Sequence, residues 1–351
     1  MVRGKIKKMK FIKKIQSADL AVCDGADSFL QSGMWGRFKA RFGWQAYAFI
    51  VEWADTCIKP LLVLLRRIAP AITMAYIPWG PELPDNFPPD PLERANALAE
   101  LARALRLLLP RTTTFIRFDP LWYSSDTAPH SFIKAAADIQ PPDTVLIDLT
   151  LSHNDRLNAM KPKWRYNIGL AEKRGVIVSR NDEQGLEAFY RLLTETATRD
   201  GIAIHSIDYY RALFEECHNS GSEAMQLRLY SAEHEGDILA AIVVLFRGKQ
   251  AVYLYGASAD IKRNVMAPYA LQWKAMNDAA ELGCIQYDLF GIPPNEDPNH
   301  PMAGLYRFKT GFGGNIVHRP GSWDYPCKPL LYALFSNAEK LRKKLRDRRK
   351  R

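Results

Sequence analysis

The residues whose types and spacing best suit chemistry lie in one late segment, 291–323, which reads GIPPNEDPNHPMAGLYRFKTGFGGNIVHRPGSW. A turn-rich run of Pro, Asn and Asp leads into Leu305-Tyr306-Arg307-Phe308-Lys309, then Gly311-Phe312-Gly313-Gly314. A lysine set between aromatics and glycines suits a cleft where a compact positive charge meets an anion or a developing oxyanion. The same residues also describe a solvated lysine ahead of a glycine turn. Asp119, within Arg117-Phe118-Asp119-Pro120, is a carboxylate that could serve as a base, although Asp before Pro is equally a turn device. Walker, GxGxxG, HExxH and GxSxG signatures do not occur in positions that would give them meaning. His130, His153, His218, His234 and His300 stand in polar contexts without ligand spacing and read as surface residues, so neither metal nor cofactor is expected.

These candidates need elements to hold them. Short apolar runs at 61–67 and 71–77 read as two strands with a tight connection, and the Pro-rich stretch from Trp79 to Pro91 as a loop. Residues 91–109 carry apolar side chains at helical spacing, and 113–118 and 145–149 read as strands. In the second half, 156–173 reads as one basic helix with Pro162 near its start, 176–178 as a strand, and 184–198 and 207–217 as helices. Three successive strands follow at 226–231, 238–246 and 251–255, then a helix at 268–282 and a strand at 285–289. Both halves share this mixed grammar without a residue-level repeat. The reading is an α/β (α+β) protein of two comparable domains, with the boundary at Pro141-Pro142.

Composition narrows the class. The 351 residues are 47% hydrophobic and 25% charged, the balance of a globular protein with room for two cores. Forty-eight Lys and Arg against 38 Asp and Glu give a net charge of +10, which suits a polyanionic partner. Lys5, Lys7, Lys8, Lys10, Lys13 and Lys14 and the stretch 340–351 hold much of the excess and read either as solvated tails or as contacts to nucleic acid or an anionic membrane. Five cysteines, scattered and odd in number, fit a reducing cytoplasm better than a disulfide framework. The apolar region 60–78 is broken by Arg66, Arg67 and Pro70 and is too short to span a bilayer, so the expectation is a cytoplasmic protein that touches the inner membrane face at most.

An ordered series of short motifs adds a resemblance. Gln31-Ser32 with Trp35 and Lys39, Gly80-Pro81, the Arg117-Phe118-Asp119-Pro120 run, Lys163-Trp164-Arg165-Tyr166-Asn167-Ile168, Tyr253-Leu254-Tyr255-Gly256, Ala267-Pro268-Tyr269, Tyr287-Asp288-Leu289-Phe290-Gly291 and Phe308-Lys309 follow one another along nine-tenths of the chain. In order and spacing this series resembles the Fem-type (FemABX) aminoacyl-tRNA-dependent peptidyltransferases, and the shorter FemX-like members in particular, because 181–226 leaves no room for a long helical hairpin. The resemblance implies two acetyltransferase-like (GNAT) domains, 1–142 completed by 318–351 and 143–317, acting as a monomer without cofactor. It implies transfer of an aminoacyl group from aminoacyl-tRNA to an amine of a lipid-linked or UDP-linked muramyl peptide.

Residue by residue, the resemblance makes Lys309 the cation at the reacting ester, Phe308 its positioning neighbour and Asp119 the candidate base. Lys39 with Trp35 is implied to bind the precursor's phosphate, and Tyr209, Tyr253 and Tyr255 to line the acceptor site. A family arginine at the phosphate is matched here by His205, a weaker partner for a pyrophosphate. Two other classes compete. One is a catalytically inactive GNAT-like protein that binds nucleic acid or membrane. The other is an acyl-CoA acetyltransferase, whose glycine-rich pyrophosphate loop is replaced here by Lys262-Arg263-Asn264.

Overall fold

The computed structural model describes residues 10–122, 131–221 and 225–349, with side chains as far as residue 342 in the last helix. Lys5, Lys7, Lys8, His130, Lys350 and Arg351 lie outside the described residues. The chain divides into two compact units, Met1–Pro142 with Arg319–Arg351, and Asp143–His318.

The first unit is a seven-stranded sheet in the order Ile12–Ala18, Gln45–Trp53, Ile58–Ala69, Ile72–Ile77, Thr113–Phe118, Trp323–Pro326, Ile133–Lys134. Every neighbouring pair is antiparallel except Ile72–Ile77 with Thr113–Phe118. A parallel pair needs a crossover, and helix Pro91–Leu108 supplies it. Its start is fixed by Asp90 and Pro91. Asp90 accepts hydrogen bonds from the backbone N–H of Leu92 (2.6 Å) and Glu93 (3.1 Å), and Pro91 occupies the first turn.

Its apolar face, Ala97, Leu98, Leu101, Ala102 and Leu105, packs into one core with Leu61, Val63, Leu65, Ile77 and Ile116. Leu62 and Leu64 alternate to the opposite sheet face, where Gly36 of helix Gly33–Ala40 closes on Leu62. Burial on both faces explains why 61–65 is a continuous apolar run. Each such side chain contributes roughly 1.5–3 kcal/mol of hydrophobic stabilisation.

The second unit repeats this topology. Its sheet runs Asn315–His318, Asp143–Asp148, Gln286–Asp288, Gln250–Ser258, Asp237–Arg247, Met225–His234, Ile177–Arg180. The parallel pair is again single, Gln250–Ser258 with Gln286–Asp288, and helix Ala267–Glu281 joins them. An antiparallel meander followed by one crossover to a parallel strand is the GNAT arrangement, present once in each unit. In the first unit the strand beside the crossover partner comes from late in the chain, Trp323–Pro326; in the second it is Asp143–Asp148, from before the meander. Between 181 and 221 lie a 3-10 turn, Asp182–Gly185, and helices Leu186–Asp200 and Ile207–Asn219, so there is no long helical hairpin among the described residues.

Three readings change. The single basic helix expected at 156–173 is two, His153–Ala159 and Pro162–Lys173. Proline at a helix's first position cannot donate backward, so Pro162 starts a helix and does not continue one. Strands Ile12–Ala18 and Gln45–Trp53 were not apparent from the sequence. The first is tied down by buried Glu100, whose carboxylate accepts the N–H groups of Lys10 (2.9 Å), Phe11 (3.0 Å) and Ile12 (2.7 Å). Lastly, the basic stretch 340–351, read either as a solvated tail or as a contact to nucleic acid or membrane, is helical as far as 349, the end of helix Pro329–Arg349, which is anchored by buried Tyr332 and by Phe335 stacked 5.1 Å from Phe115.

Candidate active site

In the second unit the parallel ladder is short. Gln250, Ala251 and Val252 pair with Gln286, Tyr287 and Asp288, and the ladder ends there. Tyr253 is the first residue past the last pair. A bulge places Tyr253 and Tyr255 opposite the consecutive residues Val244 and Val243, with Leu254 as the extra residue. Bulges re-aim side chains, and this one sets the Tyr253 ring over the space where the ladder opens out past its last pair, the space that Lys309 occupies.

On the other strand, Asp288 is buried and accepts hydrogen bonds from Phe290 N–H (2.8 Å) and the Thr144 hydroxyl. This Asx turn holds Phe290 at φ +57°, a conformation that costs a bulky residue about 1–3 kcal/mol. The turn presents the carbonyls of Phe290 and Gly291 to the opening. Neither the strain nor the role of Asp288 shows in the sequence beyond an Asp three residues before Gly291 and a Pro-rich turn.

Lys309 fills that opening. The segment 303–310 is a short helix, Ala303–Thr310, and Lys309 lies in its last turn at 6% exposure. The expectation of a solvated loop lysine is therefore overturned: this amine is enclosed. Its Nζ donates to the carbonyl oxygens of Gly291 (2.9 Å) and Phe290 (3.2 Å) and sits 5.1 Å from the Tyr253 ring centroid. An ammonium has three protons, and these two acceptors take two. Burial pushes the Lys309 pKa down to about 7, partly opposed by the negative charge of Asp288. Among the described residues no carboxylate lies within ion-pair distance of it. A buried cation with a spare donor and no counter-ion is a ready anion partner.

The lysine's helix is locked from below. Trp164 Nε1 donates to Phe308 O (2.9 Å), and its indole lies where a side chain on Gly311 would have to go, 2.1 Å from an ideal Cβ. Phe308 itself is half-buried, edge-on to Tyr269 (5.3 Å) and Phe312 (5.1 Å). It packs as a core-rim residue.

Tyr209 and Tyr255 belong to a neighbouring aromatic group of the same unit. His205 is exposed and stacks on Tyr209 at 3.8 Å and 14°, and Tyr210 lies edge-on to both Tyr209 (5.7 Å) and Tyr255 (5.1 Å). Burial lifts the Tyr209 and Tyr253 hydroxyls to about 12, so both are neutral donors. The Lys262-Arg263-Asn264 turn is no phosphate cradle. Lys262 pairs with Glu235 (2.9 Å) and Asp237 (3.0 Å), and no glycine opens the backbone there.

Lys39, Trp35 and Asp119 belong to the first unit. Ser32 caps helix Gly33–Ala40 by accepting from Trp35 N–H (3.1 Å), and Gln31 bridges Leu62 N–H and Pro78 O, which explains why that motif needs those residue types. Lys39 Nζ sits among the rings of Trp35 (5.5 Å), Phe38 (5.7 Å) and Trp44 (5.7 Å), with Arg66 also over Trp44 (5.4 Å). Burial, then Arg66, lowers the Lys39 pKa to about 8. Asp119 is 3% exposed and accepts from the Ser322 and Tyr76 hydroxyls and from Gln140 N–H (3.3 Å). Burial raises its pKa. Its carboxylate ties strand Thr113–Phe118 to the late segment that completes the sheet.

The FemAB family model matches residues 127–226 and 219–340, well over half of the chain. The chain is a member of the FemAB family. A lipid II:glycine glycyltransferase of Staphylococcus saprophyticus is 23% identical, over 88% of this FemAB-family chain and 90% of that protein. One from Staphylococcus aureus strain COL is also 23% identical, over 94% and 93%. Among solved structures, a crystal structure of FemX superposes with a TM-score of 0.78 at 20% identity, covering 92% of this chain and all of that one.

Proposed function

We propose that this chain moves an aminoacyl group from aminoacyl-tRNA onto an amine of a lipid-linked peptidoglycan precursor. The single observation that carries the reading is Lys309, a buried amine with two backbone acceptors, one unused donor and no carboxylate at ion-pair distance, placed where the parallel ladder of the second unit ends. Family membership and the glycyltransferase relatives support the substrate class.

The reaction is aminolysis of an ester. The acceptor amine attacks the ester carbonyl carbon, negative charge collects on its oxygen, and the ribose hydroxyl leaves carrying a proton. Lys309 donates its third N–H to that oxygen or to the adjacent terminal phosphate. The neutral hydroxyls of Tyr253, Tyr255 and Tyr209 orient the acceptor, and Phe308 sets the helix that carries the lysine. Lys39, cushioned by Trp35 and reinforced by Arg66, takes a phosphate of the precursor. His205 carries less charge than an arginine would at its position, which favours the lipid-linked over the nucleotide-linked acceptor. Asp119 acts as a tie inside the first unit, and the amine loses its proton to the departing hydroxyl or to solvent.

The test is direct. With total tRNA charged with radiolabelled amino acids, label is expected in the lipid-linked precursor at least about tenfold faster than in the nucleotide-linked one. Label in neither would end the transferase reading and leave the inactive binding protein. Faster labelling of the nucleotide form would overturn the acceptor assignment.

The RNA contact has its own prediction. Helix Pro162–Lys173 exposes Lys163, Tyr166 and Lys173, with Lys161 just before it, whereas Arg165 is turned inward onto the carbonyls of Met160 (2.5 Å) and Asn158 (3.1 Å). Replacing Lys161, Lys163 and Lys173 together by glutamine should reduce the log–log salt slope of aminoacyl-tRNA binding by about 2–3. Arg165→Gln should leave the slope nearly unchanged. A flat salt dependence in the wild type would remove this surface from the reading.

A further inference from the structure

The late helix of the first unit carries a feature that catalysis does not use. Its inner face, Tyr332, Phe335 and Ser336, packs against the sheet. Its outer face holds Leu330 at 85% exposure, Leu334 at 69% and Leu341 at 58%. At 100° per residue these three leucines fall within about 40° of one another around the axis, a single stripe along three turns. Lys340 and Arg342 are exposed on either side of Leu341. The sequence of this stretch, 340–351, holds nine Lys or Arg against one Asp.

A stripe of three largely exposed leucines on one line is costly in water. Leucines on one line with cations at their flanks are the pattern of a helix that lies in a membrane interface, apolar side down and cations at headgroup level. No helix among the described residues is long and apolar enough to cross a bilayer, so contact of this kind would be along the surface. A protein partner would need acidic residues around an apolar groove. The high density of like charge instead favours an extended anionic plane.

We infer that helix Pro329–Arg349 is a membrane-docking element, lying on anionic lipid through Leu330, Leu334 and Leu341 with Lys340 and Arg342 at the phosphates. The inference deepens the proposal of a lipid-linked acceptor, since it would keep the enzyme on the surface where that substrate resides. It is tested without any turnover. The full-length protein is floated with vesicles of phosphatidylcholine alone or with 30% phosphatidylglycerol.

Wild type is expected to float with the anionic vesicles and to be released as salt rises. The triple variant Leu330→Ser, Leu334→Ser, Leu341→Ser is expected to bind at least about tenfold more weakly, as is Lys340→Glu with Arg342→Glu. A Leu334→Trp probe should blue-shift on anionic vesicles and be quenched by brominated acyl chains. Because the replaced side chains are solvent-exposed, unchanged thermal unfolding will show that the variants fold. Equal binding by the triple variant, no binding by wild type, or a leucine-dependent dimer in place of vesicle binding would each overturn the inference. Vesicle binding without transfer to the lipid-linked precursor would sink the proposed reaction and leave the docking helix standing.

Discussion

Lys309→Met is expected to lower turnover about 100- to 1000-fold, the usual loss for one preorganised donor at a developing oxyanion, without unfolding the protein. Two stability effects oppose each other. The wild-type amine has a pKa of about 7 in the folded state against 10.5 for an ordinary lysine. Between those values the unfolded chain binds the extra proton and the folded chain does not, so wild-type stability should rise with pH from about 7 toward 10.5. Below about 7 the folded protein bears the whole cost of a buried charge. Methionine keeps the volume and removes that cost, roughly a few kcal/mol. It also deprives the Phe290 and Gly291 carbonyls of a donor, at about 1–3 kcal/mol each.

The two changes nearly cancel near neutral pH, but the wild type should gain clearly more stability than the variant on going from pH 7 to pH 9, the smaller rise from Lys39 being common to both. Urea unfolding at the two pH values reads this independently of activity. If the variant kept the wild-type pH slope, the slope would belong to other groups. Kinetics give the matching sign. The cation is the working form, so kcat/KM for the free enzyme should fall above about pH 7, and Lys309→Arg should push that limb to higher pH.

Why Lys309 reads as a solvated lysine from the sequence alone has a physical answer. Its helix is eight residues long, follows a Pro- and Asn-rich stretch, and carries Arg307 and Thr310 beside it, so no local pattern marks one face as inner. Enclosure comes from 290–291, held by an Asp288 turn, and from Tyr253, re-aimed by a bulge. Each lies outside any window centred on Lys309. Elements that bury both faces or repeat at helical spacing were legible: the strand read at 61–67, the helix read at 91–109, and the meander of the second unit. Strand Ile12–Ala18 was not, because its start is held by the distant Glu100 and its register by Gln45–Trp53, and an edge strand opening with Lys13-Lys14 looks like a basic tail. The motif series located Phe308-Lys309, Tyr253-Leu254-Tyr255-Gly256 and Tyr287-Asp288 as important, and the structure supplies the reason that Gly256 and Asp288 stand among them.

Gly256→Ala tests that reason with a change far smaller than removing a functional group. The bulge sends the Tyr253 side chain along its own strand, and an ideal Cβ on Gly256 would lie 1.8 Å from the tyrosine Oη and 2.6–2.8 Å from its ring carbons. Strand backbone at Gly256 is paired with Ile242 and cannot yield without breaking the ladder. The ring must therefore move, and it is the ring that lies 5.1 Å from Lys309 Nζ. Overpacking of this kind costs about 1–3 kcal/mol in stability. Displacing a positioning group by about 1 Å costs up to roughly 100-fold in rate. The expected result is a variant that folds with a lowered Tm and turns over about 10- to 100-fold more slowly. Its kcat should fall more than its KM rises, because the amine's placement at the reacting centre is what is disturbed. If the clash with Tyr253 is the cause, the two positions must be coupled. Tyr253→Leu removes the obstructed ring, so the Gly256→Ala, Tyr253→Leu double variant should be no slower than Tyr253→Leu alone and should recover most of the lost stability. Additive losses in the cycle would mean that Gly256 acts through the strand backbone and not through the tyrosine over Lys309.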